Sequence, residues 1–159
     1  MLRASEAYEA TIGGETAGAA AVLDSLGNVR RAEGRLGEAE GLLREALRIR
    51  EATLGAEDPA VATTLNNLGG VLHVGKRLGE AEPLYRRALA IQTARLGREH
   101  PDVAETYYNL GYLLLQDGRG GEARDAFVRA RDVRAAAFGE DDAFAAEISE
   151  VLRRLAAGN

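Results

Sequence analysis

The sequence has no cysteine, so it can build neither a disulfide framework nor a thiolate metal site, and the absence favours a reducing, cytoplasmic compartment. It has no signal-peptide pattern and no apolar run long enough for a membrane span, so no membrane partner is expected. Aromatic residues make up only 5% of the chain, and no segment alternates apolar and polar residues, which leaves a β architecture without support. Lysine is nearly missing: of 20 basic residues only Lys76 is one, a bias expected of a GC-rich bacterial genome. The net charge of −5 is spread as acids and arginines interleaved along helix faces, with no basic patch, so nucleic acid is not an expected partner either.

Groups that carry chemistry are equally scarce. The two histidines, His73 and His100, stand far apart with no metal ligand at helical spacing from either. No serine or threonine lies in a nucleophile-elbow context, and Gly118-Arg119-Gly120-Gly121, although phosphate-loop-like in composition, aligns with Lys76-Arg77-Leu78-Gly79 and reads as a turn between helices. The expectation is a non-enzymatic protein with no metal, cofactor or catalytic residue.

What the chain does have is a period. Leu65–Gly97 moved back by 42 residues onto Leu23–Gly55 matches 18 of 33 positions, and moved forward onto Tyr107–Gly139 it matches 12 of 33. A fixed period of this length marks a repeat protein. Inside the unit, Val61, Leu65, Leu68 and Leu72 share one helix face (helix A), and Leu78, Ala81, Leu84, Tyr85, Ala88, Leu89, Gln92 and Leu96 make a second periodic run (helix B). Asp58-Pro59 and His100-Pro101 open helix A, and Gly55, Gly97 and Gly139 close helix B as left-handed caps. Glycine inside helix A costs about 1 kcal/mol relative to alanine, so Gly27, Gly69 and Gly111 predict a close approach of helix B. Two amphipathic helices cannot cover each other fully, and the expected fold is all-α: a right-handed superhelical solenoid of antiparallel helix pairs.

Leu65-x-x-Leu68-Gly69-x-x-Leu72 followed by Ala81-x-x-x-Tyr85 and Ala88 is similar to the tetratricopeptide repeat signature, and Tyr107, Leu110, Gly111, Leu114, Ala123, Phe127 and Ala130 repeat it. The longer unit, with its HPDVA and RALAI elements, resembles the 42-residue variant of kinesin light chains and of many bacterial multidomain regulators. The organisation expected is one repeat domain over 1–159: a partial helix B at 2–12, repeats at 17–55, 58–97 and 100–139, and a capping helix at 142–157. Arg153 stands at the glycine position in that last helix, which suits a terminal cap.

The resemblance implies that the A helices line a concave face, which maps to Asp24, Ser25, Asn28 and Arg31, then Thr63, Asn66, Asn67 and His73, then Glu105, Tyr108, Asn109, Tyr112 and Gln116. Independently of the family, asparagine is a poor residue inside a helix because its amide competes for the backbone, yet Asn66, Asn67 and Asn109 sit mid-helix between leucines. Tyr108 and Tyr112 lie one turn apart beside the core stripe. The functional expectation is a protein–protein interaction module that holds an extended peptide, its backbone bonded by Asn67 and Asn109, with Tyr108, Tyr112, His73 and Arg31 setting side-chain preference. In related repeats the position of Asn67 does contact peptide backbone. The alternatives for these residues are an ordinary tyrosine packing pair and an inter-helix hydrogen bond of the asparagines. The competing function is a structural spacer or self-association segment of a larger regulator, with homodimers forming through the N-terminal helix face.

Overall fold

The computed structural model describes residues 16–139 and 141–158. Seven helices make up the described residues, with no strand among them: α1 Ala17–Ala32, α2 Leu36–Leu54, α3 Pro59–Val74, α4 Leu78–Leu96, α5 Pro101–Gln116, α6 Gly120–Phe138 and α7 Ala143–Ala156. The expected partial helix at 2–12, and the dimer face assigned to it, lie outside the described residues.

The odd-numbered helices begin in the same way at 42-residue intervals. Thr16, Asp58, His100 and Asp142 each accept a bond from a backbone amide of the first turn through the side chain, at 3.2, 2.8, 3.2 and 3.1 Å. Each satisfies one amide that the helix leaves without a partner. The turns between α1 and α2, α3 and α4, and α5 and α6 also share one pattern: Arg35, Arg77 and Arg119 donate their amides to the carbonyls of Arg30, Leu72 and Leu114, each at 2.9 Å. The residue before each arginine needs positive φ, and Gly34 and Gly118 supply it at +75° and +77°, whereas the middle turn forces Lys76 to +63°. The glycines that end the even-numbered helices differ from expectation. Gly55, Gly97 and Gly139 have φ near +90° but ψ of 154°, 159° and 165°, which is an extended region open essentially to glycine alone rather than the left-handed helical well.

Within each unit the helix pair closes on a bare glycine. A Cβ on Gly27 would stand 2.7 Å from Leu43 Cγ, and one on Gly69 or Gly111 would stand 2.9 Å from a ring carbon of Tyr85 or Phe127. Stacked units then share one apolar core that runs from Ala39 and Leu43 through Leu68, Tyr85 and Leu110 to Phe127 and Ile148. The odd-numbered helices α1, α3 and α5 touch one another directly along the stack, and the even-numbered ones do not approach each other as closely. The stack therefore curves with its odd-numbered helices on the inner side, as an α-solenoid does.

Candidate functional site

Each joint between units is keyed by polar side chains that look toward the inner face, and the keys change along the stack. At the first joint Asp24 of α1 forms a buried ion pair with Arg50 of α2. The Arg50 guanidinium also donates to Thr64 Oγ1 and to the Ala60 carbonyl, both at 2.7 Å, and the Thr64 hydroxyl donates to Asp24 at 3.0 Å. Burial pushes the Asp24 carboxyl above its ordinary range, against the opposing pull of Arg50, Thr64 and the Asn67 amide.

Forty-two residues on, the same four positions are Asn66, Gln92, Thr106 and Asn109, and the key is neutral. The Thr106 hydroxyl donates to Gln92 Oε1 at 2.9 Å, and Asn109 Nδ2 donates to Asn66 Oδ1 at 3.2 Å. At the third joint they are Tyr108, Arg134, Ile148 and Val151. The Tyr108 hydroxyl donates to Glu147 Oε1 at 2.5 Å, and Arg134 reaches Asp142 at 2.7 Å while lying over the Phe138 ring at 4.0 Å. Tyr108 meets Tyr112 and Phe144 edge-on at centroid distances of 4.9 and 4.8 Å, and Tyr112 meets Phe127 at 5.0 Å. Such edge-on pairs add cohesion beyond their buried area.

This arrangement divides the expected site residues. Asn66 is buried and its carboxamide oxygen is already engaged. Asn109 spends one N–H on it, so the reading that its amide lacks a partner inside the fold does not hold; it keeps its oxygen and a second N–H. Asn67 is half-buried beside Asp24. Tyr108 is a joint residue of an aromatic cluster, while Tyr112 stays at the rim. His73 is half-buried at the end of α3, its pKa lowered by burial and then by Lys76, so the ring is neutral at pH 7. Gln116 is exposed at the end of α5. Asn28 has a buried Oδ1 with no hydrogen-bond partner among the described residues. Arg31 lays its guanidinium on the bare backbone of Gly70, with one nitrogen 2.7 Å from where a Cβ would stand and the Tyr85 hydroxyl beneath the same spot. Glu105 faces the same surface; burial and Asp102 raise its pKa, and Arg31 and Arg134 oppose the rise.

Sequence reasoning missed several participants, among them Arg50, Gln92 and Glu147. The signal for the first two was present, because a charged or amide side chain interrupts the buried stripe of helix B at one phase, 50 and 92. No comparable signal marked Glu147, which is one of several acids on α7.

A single curved layer of A helices backed by B helices, with polar keys at every joint, defines the class as a helical-repeat interaction scaffold. The profile of the tetratricopeptide repeat family matches residues 17–94 and again 60–136, and the chain belongs to that family. Among solved structures it is similar to BtubC (BKLC) from P. vanneervenii, at 25% identity and a TM-score of 0.82 over 94% of this chain and 61% of that one. A Podosopora anserina chain described as a kinesin light chain with nearly identical TPR-like repeats aligns at 21% identity and a TM-score of 0.80, over 89% of this chain and 67% of that one. The Yersinia enterocolitica type III secretion translocator chaperone SycD aligns at 16% identity and a TM-score of 0.71, over 94% and 91%. The chain thus shares the repeat fold of these proteins, and it spans less than two thirds of the length of BtubC. A search of curated proteins returns no match. No helix among the described residues is long and apolar enough to cross a membrane.

Proposed function

We propose that the chain is a protein-interaction module, not an enzyme, and that an extended peptide segment of a protein partner lies along the face built by α1, α3, α5 and α7. The observation that carries this reading is a contrast in how polar groups are satisfied. On the other layer several arginines are tied to acids: Arg77 bridges to Glu40 at 2.6 Å, Arg119 to Glu82 at 2.7 Å and Arg86 to Glu82 at 2.6 Å. On the inner face Arg31 makes no ion pair and Asn28 Oδ1 no hydrogen bond among the described residues. Arg31, held this way, is available to an acidic side chain of a partner, whereas the Asn28 oxygen is sealed inside the fold. Asn67, the remaining N–H and oxygen of Asn109, His73, Tyr112 and Gln116 extend the same path. Tyr108 and Asn66 support it from below.

The test is a peptide-display selection against the purified chain, followed by titration of the selected peptide. Arg31→Ala and Asn67→Ala are each expected to weaken binding about tenfold, the equivalent of one charge-assisted or backbone hydrogen bond; the melting temperature should be unchanged in Arg31→Ala and lowered in Asn67→Ala, which also removes an amide from Asp24. Selected peptides that bind both variants as tightly as the parent would refute the groove.

A spacer or self-association segment is the second reading, favoured by one observation. Val22, Leu26 and Val29 on α1 are exposed, whereas their counterparts one unit on, Thr64, Leu68 and Val71, are buried by the preceding unit. Light scattering with size exclusion separates the two: a monomer leaves the groove reading standing, and a tight dimer supports self-association.

A further inference from the structure

The joint between the second and third units differs from the first joint at four positions, three of which line one cavity away from the inner face and the fourth its neighbour. At the joint of the first two units, Arg87 is neutralised by Glu51 at 2.7 Å and donates to the Ala56 carbonyl at 3.1 Å, while Leu65 and Leu84 fill the space beside it. One period later Arg87 recurs as Arg129, but Glu51 has become Thr93, Ala56 has become Arg98, Leu65 has become Tyr107 and Leu84 has become Ala126. One carboxylate is gone, one guanidinium is gained, two hydroxyls appear, and a large side chain is replaced by a small one.

The result is a cavity of about 300 Å³ lined by Thr93, Arg98, Val103, Tyr107, Arg129 and Val133. It holds two cations and no acid. Neither arginine has an ion-pair or hydrogen-bond partner among the described residues, in contrast to Arg87. A second cavity of about 250 Å³ adjoins it across Tyr107 and Arg129, opened where Ala126 is too short to fill it, and carries Glu122 and Asp125. Those acids place any anion in the first cavity rather than the second.

We propose that this cavity is a binding site for a phosphate monoester. Two guanidinium forks with the Thr93 and Tyr107 hydroxyls offer more donors than the two oxygens of a carboxylate take up, and their double positive charge matches a phosphate dianion with three oxygens. Val103 and Val133 form the apolar wall against which the group carrying the phosphate rests. The size is that of the smaller ligand pockets.

The experiment titrates the full chain with phenyl phosphate, inorganic phosphate and benzoate, followed by amide chemical shifts, and repeats this for Thr93→Glu and Arg98→Ala. Both variants install the residue that the preceding unit carries, and the Glu variant rebuilds the ion pair already present at Arg87. Phenyl phosphate is expected to bind saturably, with shifts around Tyr107 and Arg129, and severalfold more tightly than inorganic phosphate or benzoate. Each variant is expected to weaken it at least tenfold while melting at or above the parent temperature; should Thr93→Glu not fold, Arg98→Ala carries the comparison. No saturable binding, unchanged affinity in the folded variants, or equal affinity for all three ligands would overturn the assignment.

Discussion

Asn109 donates its amide to the carboxamide oxygen of Asn66 at 3.2 Å, joining α5 to α3 at the positions where α3 and α1 bring Asn67 beside Asp24. The bond is half-buried, so removing either partner leaves a polar group stranded. Asn66→Ala or Asn109→Ala is expected to cost about 1–2 kcal/mol despite the better helix propensity of alanine. The double variant should cost less than the sum, because the stranded partner is gone as well. Urea unfolding of the four proteins measures this, and strict additivity would mean that the two amides act independently.

The charged key at the first joint and the neutral key at the second are solutions to the same packing problem. Arg50→Gln alone should cost about 3–5 kcal/mol, because it leaves the Asp24 carboxylate buried without its cation. Asp24→Asn with Arg50→Gln copies Asn66 and Gln92 and should be close to neutral or stabilising. A double variant as unstable as the Arg50 single variant would show that the joint depends on its charges.

The same carboxyl has a pH signature. Its folded pKa lies above the ordinary 3.8, raised first by burial, so the folded chain holds this proton more tightly than the unfolded one. The associated stability is complete below pH 3.8 and is lost as pH rises through the folded value. Asp24→Asn removes this component, so parent stability relative to the variant should fall with rising pH across that window. The exposed acids bonded to arginines cancel in the difference. Parallel denaturation curves at several pH values read it, and a difference that grows with pH would reverse the assignment.

Gly69→Ala and Gly111→Ala place a Cβ 2.9 Å from the rings of Tyr85 and Phe127, and neither ring has space to retreat in the core. Each substitution should destabilise by about 1–3 kcal/mol through overpacking, against a helix-propensity gain of about 1 kcal/mol. Melting temperatures at or above the parent in both would mean that the helix pairs relax apart freely.

Lys76 occupies with φ of +63° the turn position that Gly34 and Gly118 hold in the neighbouring units. Lys76→Gly should stabilise the fold by about 1 kcal/mol, the cost of the left-handed region to a side chain with a Cβ. It also removes a cation that lowers the His73 pKa, so the histidine should titrate higher in an NMR pH series. A stability loss would point to a role for the lysine side chain beyond the turn.

The period, the helix pairs and the glycine contacts were legible in the sequence because each rests on a local rule: a helical face, a cap or a missing side chain. Val61, Leu65, Leu68 and Leu72 are buried as their spacing requires. The joints were harder to read, since they depend on three helices at once. Asn109 reads as a free amide until α3 brings Asn66 against it, and Tyr108 as a ligand contact until α7 supplies Glu147 and Phe144. Arg50 was legible as an interruption of the helix B stripe but its role was not, because its partner Asp24 lies in another helix. The positive φ of Gly55 was readable from residue type, but its extended ψ depends on where the next helix must start.

The joint chemistry makes the array divisible at one place and not at another. If the middle unit, 58–99, were excised, α1 and α2 would present Asp24 and Arg50 to Thr106 and Asn109, which repeat the Thr64 and Asn67 that they meet now. If the third unit, 100–141, were excised instead, Asn66 and Gln92 would face Ile148 and Val151, with no donor or acceptor left to answer them. The units therefore have an order as well as a period: the second can be lost or copied without stranding a buried polar group, and the third is the adaptor without which the terminal helix does not fit.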